Sequence, residues 1–321
     1  MDIKAFKINN DKSLVPINSI DLPPAWIQDE TRRWIDIENP DAADLHKLIG
    51  PLDLDPNLIK NLLDYDSRTE VISFKKSLII KFPTHLNIDD FDPIYLTIIC
   101  LPSTLITIHQ KPYIRINKIA GELTSDSRLK DESISALLYY IFDKLIDENV
   151  KLMIALRERI DLLDESLDES PELIERSNIV KLKRLTGKHI VKFEGQLYCI
   201  GTLQKVESDV FSIGRQREAY LDLYIHLETV VGIINNYQTR LIDMNQSYLI
   251  FIQGRTSSRL RVLTIISAIF LPQTFLISWY ALTEKYLQTD QWQAGYPIVM
   301  VIMLISTFIL AIYFYKKGWF K

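Results

Sequence analysis

The sequence has little with which to build a disulfide framework or a metal centre. Cysteine occurs twice in 321 residues, as Cys100 and Cys199. That excludes a disulfide-rich scaffold and a four-cysteine zinc site. Two distant thiols in a domain facing a reducing compartment are expected to be free. The five histidines (His46, His85, His109, His189, His226) are dispersed, and none pairs with another at metal-ligand spacing. There is no HExxH and no nucleophile elbow. Gly187-Lys188 lacks the earlier glycine of a phosphate loop, because position 182 is leucine. Ten glycines and thirteen prolines exclude collagen-like or linker-like composition. No resident cofactor and no enzymatic chemistry are expected.

Charge is missing in two places, and this decides the class. No charged residue lies between Arg261 and Glu284, and none between Asp290 and Lys316, windows of 22 and 25 residues. At about 1.5 Å per residue, 22 helical residues cover about 33 Å, slightly more than the hydrocarbon core of a bilayer. Trp279, Tyr280, Trp292, Tyr296, Tyr313 and Tyr315 lie near the ends of these windows, where amphipathic rings favour the interface. Two transmembrane helices are therefore expected, and membrane lipid is the first partner. Met1–Asn10 carries Asp2, Lys4 and Lys7 without an apolar run, so no signal peptide is expected.

Arg255, Arg259 and Arg261 precede the first window, and Lys316, Lys317 and Lys321 follow the second. This bias puts both termini on the cytoplasmic side of a cell membrane, with a short outer loop. The chain carries −4 overall. The part beyond Arg261 carries +2, which leaves −6 for the preceding 261 residues. An acidic cytoplasmic portion argues against nucleic acid as a partner.

That portion divides by pattern. Residues 1–130 are expected to form an α/β domain. Arg33–Ile37 alternates like a strand, Asp41–Leu63 has helical spacing, and Ile94–Leu101 with Thr104–His109 reads as a hairpin about Pro102-Ser103. Residues 131–203 read as a helical hairpin, with Ile134, Leu137, Leu138, Ile141, Leu145 and Ile146 at helical steps. No proline occurs between Pro171 and Pro272. Residues 204–283 are accordingly expected to be one long helix continuing into the first span, weakened by Gly214, Gly232 and Gly254 without ending there. An outer loop at 284–292, a second span at 293–315 and a basic tail at 316–321 complete the order. A helix of that length needs partners, so an oligomer or a sheath of shorter helices is expected.

Two acidic features have a bland and a functional reading. Asp161, Asp164, Glu165, Asp168, Glu169, Glu172 and Glu175 cluster at the hairpin tip, as a solvated face or a cation-attracting surface. Asp53, Asp55, Asn57 and Asp64 match positions 1, 3, 5 and 12 of a calcium loop, but Leu58 stands where that loop needs glycine. Asp55-Pro56 reads more simply as a helix start.

The two-span C-terminus carries Val262-Leu263-Thr264-Ile265-Ile266, Phe270-Leu271-Pro272, Thr274-Phe275, Gly295-Tyr296-Pro297 and Lys316-Lys317-Gly318-Trp319. In that order, and together with the strand around Trp34, the acidic tip and the long helix, these resemble the CorA family of divalent-cation channels over nearly the whole chain. The resemblance implies a funnel-shaped homopentamer whose first span lines the pore and whose second forms an outer ring. It implies magnesium or a transition metal as the transported ion. Leu263 and Leu271 would be apolar constrictions, and Thr274 best matches a pore-facing threonine. Thr264, Gln273 and Thr274 could equally make helix–helix hydrogen bonds. The family's Gly-Met-Asn signature is replaced here by Ala281-Leu282-Thr283, and a lower pore asparagine by Ser257. A regulatory cation would sit between subunits on Asp222, with Asp89 or Asp90 as partners.

Three functional readings follow. The first is a passive pentameric divalent-cation pore gated by cytoplasmic cation binding. The second is the same fold with altered ion selectivity or proton coupling, and the third is a membrane-anchored scaffold that conducts nothing.

Overall fold

The structure is a computed structural model of the single chain. It describes residues 2–17, 29–50, 62, 68–75, 77–85, 87–90, 94–110, 112–126, 128–206, 211–287 and 295–319. It separates into two compact units, Met1–Asn245 and Gln246–Lys321.

Among the described residues, the first unit is built on a seven-stranded sheet: β1 (Asp2–Ile8), β2 (Leu14–Ile17), β3 (Arg33–Glu38), β4 (Glu70–Ser73), β5 (Leu78–Thr84), β6 (Ile94–Cys100) and β7 (Thr104–His109). Their spatial order is β2-β1-β3-β7-β6-β5-β4. Every neighbouring pair is antiparallel except β3 and β7, which run parallel with Arg33 opposite Thr104 and Glu38 opposite His109. The expected hairpin is β6–β7, with Cys100 opposite Leu105.

Both sheet faces are covered. On one, Trp34, Ile80, Phe82, Ile98 and Leu105 meet Leu137, Leu138, Ile141 and Phe142 of α3 (Ile134–Glu169), Cys199 and Ile200 of α4 (Arg176–Leu203), and residues of α2 (Ile114–Ser125). On the other, Ile35, Ile37, Ile79, Ile99 and Ile106 meet Leu45 of α1 (Ala42–Ile49) and Leu62. Burial on both sides explains why β5 and β7 are buried at every position. It also makes Arg33–Ile37 a strand buried throughout, where alternation had suggested one wet face. The buried Asp36 carboxylate is satisfied by Thr107 Oγ1 at 2.5 Å and His109 Nε2 at 3.3 Å, and Thr107 accepts from Trp34 Nε1 at 3.0 Å.

The helices start where short polar side chains cap them. Asp41 accepts from Asp44 N at 2.6 Å to open α1, and Ser133 accepts from Ala136 N at 3.1 Å to open α3. The calcium-loop positions 53, 55, 57 and 64 lie outside the described residues. α4 crosses the sheet at a glycine: a Cβ on Gly195 would stand 2.6 Å from Thr69 Oγ1 and 3.0 Å from Pro83 Cγ. Gly195→Val is expected to lower stability by about 1–3 kcal/mol through overpacking, read as a drop in the unfolding midpoint of the full chain. Beside it, Gln196 accepts from Asn149 Nδ2 at 2.6 Å and donates to Pro83 O at 2.8 Å, tying α3, α4 and β5 together.

The long helix, α5 (Arg217–Leu287), starts at Arg217 and not near residue 204. α4 ends at Leu203, and Gly214 takes φ +39° before a short 3-10 turn over Gly214–Gln216. That left-handed conformation suits glycine, so the chain turns at Gly214 immediately before the long helix, where the absence of proline had suggested a helix already running from residue 204. Within the first unit Leu152, Leu156, Leu185, Phe193, Val230 and Ile234 knit α3, α4 and α5 into a bundle. Arg240 of α5 joins Asp161 and Asp164 of α3, with its Nε 3.0 Å from the Asp164 carboxylate. These two carboxylates of the acidic tip are therefore structural, while Glu165, Asp168, Glu169, Glu172 and Glu175 are exposed. Arg240→Ala is expected to cost about 1 kcal/mol, reduced by high salt in the wild type, because the site is part-exposed.

The second unit holds the remainder of α5 and α6 (Gly295–Lys316). The most apolar 18-residue stretches of the two helices have mean hydropathies of 1.8 and 2.5, and only 6% of each is buried within the chain. Such bare apolar helices are covered by lipid or by further copies, not by a core of their own.

Candidate functional site

Among the described residues, α5 and α6 share a polar cluster. Gln273 Nε2 lies 2.8 Å from Thr307 Oγ1, 3.0 Å from Ser306 Oγ and 3.4 Å from Met303 O. Gln273 is thus a helix–helix contact, and it marks the side of α5 that α6 covers. Ile265, eight residues earlier, is also buried.

The other expected pore residues lie elsewhere on α5. Ser257, Thr264 and Leu271 recur at seven-residue steps, about two helical turns, and form one stripe. Leu263, Thr274 and Ala281 form a neighbouring stripe. All six are exposed in the single chain, Leu271 at 72%. A face away from α6 therefore carries hydroxyls between apolar side chains. Leu282 is exposed at the same end of α5, and Thr283 belongs to the helix, though its side chain lies outside the described residues.

The threonine hydroxyls have a defined polarity. Thr264 Oγ1 donates to Leu260 O at 2.8 Å, and Thr274 Oγ1 donates to Phe270 O at 2.9 Å. Each proton is used by the helix, which leaves oxygen lone pairs facing outward. Such acceptors suit the water protons of a hydrated cation, and magnesium keeps much of its water.

The candidate regulatory residues occupy three settings. Asp222 is exposed on α5 and acts with Asp143 and Asp147 of α3 on Tyr139, whose hydroxyl is held above its usual range by burial first and by these carboxylates second. Burial, then Asp147, raises Asp143 above the ordinary carboxylate range. Asp89 is engaged by Arg159 of α3, which holds its carboxyl below that range. Asp90 accepts from Asn87 N at 2.7 Å. Among the described residues, no group of three or more His, Cys, Asp or Glu is arranged within the chain to hold a metal ion.

One cluster escaped sequence reasoning. Lys192 Nζ lies 2.9 Å from His85 Nδ1 and 2.7 Å from His189 Nδ1, all three buried. His189 Nε2 faces Ile88 O at 2.9 Å. A carbonyl only accepts, so Nε2 carries the proton and Nδ1 accepts from Lys192. The sole sequence signal was the His189–Lys192 spacing on one helix face; His85 is distant in the chain.

The comparisons with known proteins agree with this architecture. A family model described as CorA-like Mg2+ transporter protein matches residues 29–316. The chain is 22% identical to the cobalt/magnesium transport protein CorA of Thermotoga maritima, over 99% of this chain and 89% of that protein. It is also 22% identical to the protein of the same description from Methanocaldococcus jannaschii, over 89% and 90%. Among solved structures, the complete CorA magnesium transporter of M. jannaschii superposes with a TM-score of 0.82 at 19% identity, covering 99% of both chains. The full-length CmaX protein gives 0.74 at 17% identity, over 96% and 97%. Sequence and architecture together place this chain in the CorA-like Mg2+ transporter family.

Proposed function

We propose that this CorA-like divalent-cation transporter works as a passive homopentameric pore, lined by the α5 face that carries Ser257, Thr264, Leu271 and Thr274. The observation that carries this reading is the placement of that face away from the α6 contact at Gln273. Copies arranged about an axis would bring these stripes together, with α6 outside. Hydroxyl oxygens would hold a hydrated cation, and Leu263 and Leu271 would close the path by dewetting. Both termini are cytoplasmic in this arrangement, consistent with the arginines before the first span and the lysines after the second. No nucleotide is needed, since the ion runs down its electrochemical gradient.

Flux into proteoliposomes, with magnesium, cobalt, nickel, zinc and potassium in parallel, tests the proposal. Entry of at least one divalent ion is the expected result, and absence of all divalent flux would refute it. The replaced Gly-Met-Asn signature favours a second reading, in which the same pore prefers another divalent ion. Cobalt or zinc flux exceeding magnesium flux would support that.

For regulation, Asp222 of one subunit would share a cation with Asp89 or Asp90 of its neighbour and hold the pore closed. Asp222→Ala should then raise, by about fivefold or more, the magnesium concentration that protects the cytoplasmic unit from protease, for a site coupled by about 1 kcal/mol. Unchanged protection would sink the idea.

A further inference from the structure

We infer that Gln273 is a positioning residue that clamps the pore helix to the outer helix, so that the two spans of one subunit move as one body during transport. The inference rests on the pore reading of α5 and adds a mechanical constraint to it.

The chemistry of the contact is directional. Ser306 Oγ and Thr307 Oγ1 both lie within donating distance of Met303 O, at 2.9 and 2.8 Å, so their protons are used within α6. Their oxygens then serve as acceptors, and Gln273 supplies the donors through Nε2. The Gln273 Oε1 is buried without a hydrogen-bond partner. A buried acceptor left alone is unfavourable, so the donor half of the amide must account for the choice of residue. A leucine would fill similar space without that defect.

The location gives the clamp its effect. Pro272 precedes Gln273 inside α5, and proline has no N–H for the carbonyl of Ala268. The helix ladder is therefore weakest there. Leu271 and Thr274, on the uncovered face, flank the same two positions. Unclamped, α5 could bend at Pro272 and carry Leu271 and Thr274 with it while α6 stayed still. With Gln273 bonded to two hydroxyls of α6, that bend would break two buried hydrogen bonds in a medium that offers no replacement. Movement of α6 together with α5 keeps them.

Two measurements on the full chain test this. The first compares magnesium flux in proteoliposomes for Gln273→Leu, for Ser306→Ala combined with Thr307→Val, and for all three changes together. Each is expected to change maximal flux about three- to tenfold, the range set by interhelical hydrogen bonds of this kind, and to leave the half-saturating magnesium concentration unchanged. The triple variant should match either parent, because both remove one interaction. Additive effects, or a shift in half-saturation alone, would overturn the inference. The second measurement joins Gln273→Cys to Thr307→Cys with a short bis-methanethiosulfonate linker. Efficient linkage, with the linked variant's flux within about twofold of the wild-type chain because the linker replaces the lost hydrogen bonds, is expected if the spans move as one body. Poor linkage, or linkage that abolishes flux, would overturn it. If the unmodified chain passes no divalent ion, the pore reading fails by itself, and the linkage yield still decides whether the clamp exists.

Discussion

Lowering the pH from 6.5 to 4 should remove about 3 kcal/mol of stability from the first unit, from one histidine. His189 is held at about 4, first by burial and second by Lys192. Its imidazole would titrate near 6.5 in the unfolded chain. A depressed folded value means that the unfolded chain binds more protons at intermediate pH. The stabilisation is thus complete above about 6.5 and is lost as pH falls toward 4. A difference of 6.5 to about 4 corresponds to roughly 3 kcal/mol, more than a hundredfold in the folding equilibrium. His85, at about 2 for the same two causes and Arg115, extends the loss to lower pH. Lys192 slopes the same way on the alkaline side, because burial and Arg115 depress it while only Asp90 opposes them. The Lys192 amine supplies N–H donors for both Nδ1 acceptors, at 2.9 Å to His85 and 2.7 Å to His189. Unfolding midpoints of the detergent-solubilised chain across this pH range, with hydrogen exchange of β5 and α4, would measure the effect. His189→Gln should flatten the profile; a wild-type profile flat between 6.5 and 4 would refute the assignment.

That cluster shows why the sequence was legible in some places and silent in others. The two spans were evident because membrane solvation acts on contiguous residues, and uncharged windows of 22 and 25 residues have few soluble explanations. The β6–β7 hairpin and the α3–α4 pair were evident because both are local in sequence. The β3–β7 pairing is parallel and joins Arg33 to Thr104 across a long separation, so no local pattern announces it. β2, β4 and β5 went unread because strands at a buried sheet lose the alternation that marks a one-faced sheet, or are too short to show it. The start of α5 was misplaced because a single glycine at φ +39° leaves no more trace than the glycines inside the helix. At the site, side-chain type suggested polar contacts in the first span but not their direction. Only the position of α6 separates Gln273, which bonds α6, from Thr264 and Thr274, which bond their own helix.

Restoring the family signature, with Ala281→Gly, Leu282→Met and Thr283→Asn together, should raise magnesium flux by about tenfold. Two physical differences stand behind that number, and single changes separate them. Threonine offers a short hydroxyl where asparagine offers an amide carbonyl on a longer arm, a stronger acceptor for the water shell of magnesium. In a ring of copies each small gain is repeated, and a combined 1.4 kcal/mol suffices for tenfold. The second difference is conformational. α5 runs through all three positions to Leu287, supported by alanine and leucine, both strong helix formers. Glycine at 281 would weaken the helix by about 1 kcal/mol there and let the mouth of the pore unwind. Thr283→Asn alone changes the chemistry and keeps the helix, whereas Ala281→Gly alone does the reverse. If Thr283→Asn gives most of the gain, the carbonyl ring limits magnesium entry. If only Ala281→Gly does, the helical end of α5 holds the mouth in the wrong conformation. A triple variant with unchanged flux would place the limiting step below the mouth, where on the proposed pore reading Ser257 would stand in place of an asparagine, on the same helix face as Thr264 and Leu271.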